Sequence, residues 1–409
     1  MGWHMRFIPL LISLFVVVSA SADSPQRFFK GNTHAHSLWS DGNDFPEMII
    51  DYYHRNGYDF AVLSDHNVFA KGYRWQSLGE IKGRQKEHGP GAIEKCVARF
   101  GSDWITWETM EGQRGVVLKP LNEYRHLFEE LGEFLIIEAE EISDTSASGP
   151  VHINALNLEH LIAPLNDKTL STVKVMRQLL RTVQLQEKEI GRPILTHLNH
   201  PNFYWGASAE DLAAVVEERF FEVYNGHPRI NHQGDEHRPS DEMIWDIAST
   251  IRIAEMGEAP LMGVATDDSH TYHGGNVSPG RGWVMVEADD LTADNLIHAM
   301  RAGDFYASTG VVLSQVRYDP KTRIIELEIE ADGAAEFTSE LIGTRKNYEK
   351  SVVQGIGETL ATSIGQSVRF EVPVDALYAR VVITSSAEHS NPSLEDQHKQ
   401  AWTQPVGWR

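Results

Sequence analysis

Between residues 28 and 310, short apolar runs alternate with stretches of helical periodicity, and that alternation restricts the possible folds more than any other feature. The runs at 60–64, 134–137, 151–156, 193–196, 220–224 and 261–266 have strand length and strand composition. Helical candidates lie near 45–56, 120–131, 170–190, 208–217, 239–250 and 291–302. Such a pattern predicts parallel β/α units closed into a barrel. Residues 70–118, with Trp75, Trp104 and Trp107, are too long for a plain connection and read as an insertion or lid. After residue 312 the apolar period changes to two, at 324–330, 368–372 and 379–383. That predicts a small antiparallel β domain over 312–409.

The ends of the runs carry the chemistry. In Asn32-Thr33-His34-Ala35-His36-Ser37 the two histidines are two residues apart, so on an extended chain their rings share one face. Two imidazoles so placed can chelate one divalent ion. Asp41 follows in a turn, within reach of the same pocket, and His66 comes directly after the run at 60–64. Glu138, Glu140 and Glu141 stand where the run at 134–137 gives out. His197 and His200 follow the run at 193–196, and Asp268 and His270 follow the one at 261–266. In a parallel barrel the strand C-termini gather at one mouth. Several strands that each finish in imidazole or carboxylate therefore predict a shared cation site. Asp65, next to His66, is expected to orient an imidazole or accept a proton. Arg229, His232, His237 and Arg238 make a His- and Arg-rich loop, and Arg281 lies farther on. Guanidinium forks suit phosphate or carboxylate oxygens, so these five residues are expected to contact an anionic substrate. Glu222 and Tyr224 end another run and are expected to line the pocket.

The formal charge of -22 argues against nucleic acid as a partner, because an acidic surface repels phosphate backbones. A small anionic substrate remains compatible if bound cations reverse the local field. Residues 1–22 combine Arg6, an apolar stretch at 7–18 and the small residues Ala20-Ser21-Ala22. They read as a signal peptide, which predicts a periplasmic or secreted protein. The stretch is short of the roughly 20 residues that span a bilayer, so no stable membrane span is expected after cleavage. Cys96 has no second cysteine to pair with and reads as a buried apolar residue.

The motif residues resemble the PHP superfamily, named for polymerase and histidinol phosphatase. The pieces that carry the likeness are His34-Ala35-His36-Ser37 with Ser40-Asp41-Gly42, Ser64-Asp65-His66-Asn67, Glu141-Ile142-Ser143, His200-Pro201 and Asp268-Ser269-His270. The segment Arg301 to Gly310 and the terminal Ala401-Trp402-Thr403-Gln404-Pro405 are similar to its carbaryl-hydrolase-like branch. The resemblance covers residues 28–310 well and the tail loosely. It implies a distorted seven-stranded β/α barrel with two or three divalent ions, zinc, manganese or iron. One ion would be held by His34, His36, Glu141 and Asp268. Glu141 would bridge to a second on His152 and His200, and Asp41, His66 and His270 would hold a third. Glu138 and Glu140 compete with Glu141, and Ala139 replaces a glycine common in the family strand. His197 competes with His200, whose following proline matches the family. The expected activity is hydrolysis of a small phosphoester with metal-bound hydroxide as nucleophile. Hydrolysis of a carbamate or aryl ester bond is the alternative, and a metal- or glycan-binding module without turnover is a third reading.

Overall fold

The computed structural model describes residues 1, 26–85, 90–349 and 355–409. The expected signal segment lies outside the described residues apart from Met1. Among the described residues no helix is long and apolar enough to cross a membrane. In chain order the first part of the chain contains β1 (Phe28–Asn32), α1 (Pro46–Arg55), β2 (Phe60–Leu63), β3 (Trp75–Ser77), α2 (Leu78–Arg84), α3 (Ala92–Phe100), β4 (Thr106–Met110) and β5 (Gln113–Val117). It continues through α4 (Leu121–Tyr124), β6 (Leu135–Thr145), β7 (Pro150–Leu156), α5 (Thr172–Ile190), β8 (Leu195–Leu198), α6 (Ala209–Ala214), β9 (Phe220–Asn225), α7 (Asp241–Ile251) and β10 (Met262–Thr266). Then come β11 (Trp283–Glu287), α8 (Ala293–Ala302) and β12 (Phe305–Ser308). The helix boundaries follow local chemistry: Pro46 opens α1, Ser208 and Asp211 form a capping box on α6, and left-handed Gly191 and Gly303 close α5 and α8.

Seven strands run in the order β10-β9-β8-β7-β6-β2-β1. Most of the pairings are parallel, with Gly31 opposite Phe60, Val62 opposite Ile137 and Leu198 opposite Phe221. Gly31 is needed there, because a Cβ would lie 2.0 Å from the Phe60 ring. β7 departs from the all-parallel expectation: it is antiparallel to both β6 and β8. The link from Thr145 to Pro150 is too short for a parallel crossover, which needs about a dozen residues. As a result the first residues of β7, not its last, lie beside the ends of the neighbouring strands. No continuous ladder joins β10 to β1 among the described residues. The chains just beyond them meet instead, through a parallel bridge between Ala35 and Ser269. His36 N donates to Ser269 O at 2.9 Å and Asp268 N to His34 O at 3.0 Å.

Phe29, Phe60, Val62, Ile137, Ala139, Leu195, Phe220, Met262 and Val264 pack together as an apolar floor. The same strands turn polar toward their far ends, where Asn32, His34, Glu141, His197, Glu222 and Asp268 are all buried. Burying so many polar groups is costly unless each finds a partner.

The piece expected as an insertion folds on itself. β3, β5 and β4 form a separate three-stranded sheet whose core includes Leu38, Trp39 and Phe45. It grips the loop that carries Asp41: Arg84 donates to Ser40 O at 2.6 Å and to Gly42 O at 3.1 Å, and Lys95 reaches Asp44 at 2.6 Å. Cys96 is buried in this core, where burial pushes its thiol pKa up, against thiolate chemistry.

The tail adds β13 (Leu313–Asp319), β14 (Ile324–Ile329), β15 (Phe337–Arg345), β16 (Glu358–Ile364), β17 (Ser367–Glu371), β18 (Ala376–Glu388) and β19 (His398–Thr403). All pair antiparallel, as the two-residue period predicts. β13, β14 and β17 form one sheet, while β19, β18, β15 and β16 extend the large sheet through β12. Tyr306, Leu313, Leu327, Val381 and Ile383 fill the space between the layers. Arg380, itself buried, ties the tail to α7 by a two-pronged contact with Asp246 at 2.7 and 3.0 Å.

Candidate metal centre

His34 and His36 lie just past β1, and their Nε2 atoms stand 3.1 Å apart. Both face Asp268 Oδ1, at 3.3 and 3.2 Å. Asp268 reaches inward from a left-handed backbone (φ 47°), while its neighbour Asp267 points away. The Asp267 carboxylate accepts from Tyr53 and from the backbone N–H groups of residues 280–282.

Glu141 is at the centre. Its Oε1 is 3.5 Å from His34 Nε2, 2.9 Å from His152 Nδ1 and 3.4 Å from His200 Nε2. Its Oε2 is 2.7 Å from His66 Nδ1 and 3.4 Å from His36 Nε2. The Ser143–His152 pairing of β6 with the reversed strand β7 brings His152 there. Glu138 and Glu140 face elsewhere: Glu138 pairs with Lys71 at 2.9 Å, and Glu140 accepts from Ile162 N. Alternation along β6 thus turns Glu141 away from the face that Glu138 and Glu140 share.

Asp41, the most exposed of the group, is 3.6 Å from His66 Nε2, 3.5 Å from His270 Nε2 and 3.8 Å from His36 Nδ1. The His36 ring contacts those of both His66 and His270, with centroids at 4.4 and 4.1 Å. Three sets of side chains have ligand atoms close enough to hold an ion: His36, Asp41, His66 and His270; His34, His36 and Asp268; and His66, Glu141 and His152. All nine residues named from sequence as ligands therefore come to one place. The grouping differs in that His36 joins the Asp41 set and His66 joins Glu141 and His152, with His200 at the edge.

The electrostatics are those of a cluster built around positive charge. Burial favours neutral His34, but Asp268, Glu222 and Glu141 hold its pKa well above the usual 6.5. Burial opposes His66 too, yet Glu141 and Asp41 hold it at about 11. His36 is pushed down to about 3 by burial and by the His270 and His66 rings. Burial would raise Glu141 and Asp268, but the surrounding imidazoles hold both well below the usual carboxylate range. Divalent ions fit this donor set. The Nε2 atoms of His34 and His36 face each other at 3.1 Å, which needs a cation or a proton between them, and both Glu141 oxygens are buried among ring nitrogens.

A ring of supporting groups surrounds the cluster. Glu222 Oε1 is 2.7 Å from His34 Nδ1 and accepts from Thr266 Oγ1, while its Oε2 accepts from His200 N and Asn225 Nδ2. Ser143 Oγ is 2.6 Å from His66 Nδ1, and Asn199 Nδ2 donates to Glu141 at 2.8 Å. Glu222, expected to line the pocket, supports His34 instead, and Asn199 and Ser143 are supports that no expectation covers, although Ser143 closes the Glu141-Ile142-Ser143 segment. His197 is fully buried 3.9 Å from Glu222, and burial pushes it down to about 4.

Other expectations need correction. Asp65 orients no imidazole: it accepts from Ser37 N, Ser37 Oγ, Ser40 N and Ser40 Oγ, at 2.6–3.0 Å. It shapes the turn before Asp41. Arg281 is buried, and its guanidinium donates to Gly226 O, Asn276 O and Asn391 O, bracing loops instead of facing a ligand. His237 and Arg238 are exposed and paired with Glu236 and Asp235. His232 is buried against Tyr224 at 5.4 Å and pushed down to about 4, so it carries no charge for an anion. Arg229 is exposed. The residue of this loop that reaches the cluster is His227, 5.6 Å from the His270 ring.

No family model and no curated protein matches the chain. Several solved structures resemble it. A two-domain protein from Bacteroides vulgatus, described as containing a predicted PHP-like metal-dependent phosphoesterase, is 14% identical with a TM-score of 0.40 and covers 93% of this chain and 95% of its own. PsfC from Pseudomonas syringae is 14% identical with a TM-score of 0.34 and covers 67% and 88%. A protein from Bifidobacterium adolescentis, described as a proposed metal-dependent phosphoesterase, is 12% identical with a TM-score of 0.31 and covers 66% and 94%. Likenesses this distant carry no argument about the site, whose reading rests on the distances above.

Proposed function

We propose that the protein is an exported, divalent-metal-dependent hydrolase of small phosphoesters, built on a distorted seven-stranded β/α barrel of the PHP type. One observation carries the reading: a single buried carboxylate, Glu141, lies 2.7–3.5 Å from ring nitrogens of His34, His36, His66, His152 and His200. A carboxylate so crowded has the surroundings of a ligand shared between ions. Two or three bound ions (zinc, manganese or iron) would polarise a phosphoryl oxygen and lower the pKa of water toward about 7.

The chain's own groups do the rest. His34, His36, Asp268 and Glu141 would hold one ion, Glu141 with His152 and His200 a second, and Asp41, His66 and His270 a third. Glu222 fixes the His34 ring, Ser143 fixes His66, and Asn199 holds the Glu141 carboxylate.

One observation favours a second reading, hydrolysis of a carbamate or aryl ester. Arg281 and Arg238, expected to contact an anionic substrate, are engaged elsewhere, which suits a neutral ester or carbamate better than a charged phosphoester. The test is a panel of phosphomonoesters, phosphodiesters, aryl carbamates and aryl esters with the metal-loaded mature protein. Phosphoester turnover that His66→Ala and Asp268→Ala abolish is the expected result. Turnover of carbamates or esters alone favours the second reading, and no turnover overturns both.

A further inference from the structure

At the edge of the ligand cluster the backbone is strained beyond His200 itself. His200, Tyr204 and Trp205 all have positive φ, at 25°, 48° and 58°. Such conformations cost a non-glycine residue on the order of 1–3 kcal/mol each and persist only where the surroundings impose them. The far end of this segment is pinned by close packing: a Cβ on Gly206 would lie 2.0 Å from Pro150 O, at the start of the strand that carries His152. Thr172 Oγ1 also donates to Gly206 O at 3.0 Å.

The strain leaves aromatic rings at the edge of the cluster. The Phe203 ring packs edge-on against the His200 ring at 5.0 Å and lies 6.3 Å from that of His152. Tyr204 meets Phe203 at 4.7 Å and 69°, so the two rings make an angled corner. Tyr204 is 69% exposed, so its burial does not repay the backbone cost. The nearby cation is already engaged: Arg238 lies 4.4 Å over the Trp205 ring and pairs with Asp235 at 2.9 Å. The corner therefore offers ring faces and edges more than hydrogen bonds, which suits an aryl group better than a sugar.

We propose that Phe203 and Tyr204 form an aromatic shelf that holds a flat aryl group of the substrate while its acidic or ester end lies at the ligand cluster. The proposal rests on the hydrolase reading for what binds at the cluster and adds the class of group bound beside it.

The test is calorimetric titration of the metal-loaded full chain with phenylphosphonate and methylphosphonate, and with benzoate and acetate. The wild-type protein is expected to prefer the phenyl member of a pair by about tenfold, the scale of one good ring contact. Tyr204→Phe keeps that preference. Tyr204→Gly brings the pair to parity and raises the melting temperature, because glycine relieves the left-handed backbone. Silent phosphonates with benzoate preferred over acetate would sink the phosphoester reading and leave the shelf standing. Equal affinities within each pair, a preference that survives Tyr204→Gly, or binding of neither pair would overturn the shelf.

Discussion

His34 Nδ1 and Glu222 Oε1 lie 2.7 Å apart with neither side chain exposed to solvent, so the ring is locked with its other nitrogen turned toward Asp268 and Glu141. A carboxylate so placed would orient His34, as the proposed ligand, from behind, and removing such partners typically costs metal affinity about 10–100-fold. Glu222→Gln is therefore expected to weaken divalent-metal binding by that factor in a chelator competition while the far-ultraviolet circular dichroism stays unchanged. Wild-type affinity in the variant would show that Glu222 is only packing.

Without metal, His66 keeps its proton at neutral pH, because Glu141 and Asp41 outweigh burial and hold its pKa at about 11. A divalent ion needs the neutral ring, so binding must release that proton and weakens as pH falls. Calorimetry at pH 7.5 in buffers of different ionisation heat should report at least one proton released on loading. A binding heat independent of buffer would contradict the assignment.

A second titration lies outside the cluster. Glu140 is fully buried, and burial raises its pKa from 4.5 to about 8, against the opposing bond from Ile162 N. Between those values the folded protein keeps a proton that the unfolded chain gives up. Stability from this group is full below pH 4.5 and is lost as pH rises through 8. Each tenfold difference in proton affinity is worth about 1.4 kcal/mol, so the loss is on the order of a few kcal/mol. Glu140→Gln keeps the acceptor for Ile162 N and should flatten the decline in melting temperature between pH 5 and 8.5. An unchanged slope would place the titration elsewhere.

That His66, Glu141, His200, Asp268 and His270 gather at one place is legible in the sequence because each lies just past an apolar run, and a strand's end fixes where its next residues emerge. Choosing among Glu138, Glu140 and Glu141 was harder. The apolar run precedes all three, and only the pairing of β6 with β2 and β7 decides which faces inward. The reversal of β7 was hidden in a short link, although that reversal brings the start of the strand, and with it His152, to the cluster. Arg281 was misread because a guanidinium that donates to backbone carbonyls has the same local sequence as one that awaits an anion. Asp65 was misplaced for a similar reason: its partners Ser37 and Ser40 lie more than twenty residues away in the chain. The two-residue period of the tail was plain, but nothing in it told that β19 would pair with β12 and join the tail to the larger sheet.

The central claim is that Glu141 and the histidines around it share divalent ions. Anomalous X-ray diffraction at the metal edge, on crystals of the metal-loaded protein, tests it most directly. The account predicts two or three peaks, each within coordination distance of at least three of His34, His36, Asp41, His66, Glu141, His152, His200, Asp268 and His270. Peaks confined to surface carboxylates, or none at this cluster in a fully loaded sample, would contradict it.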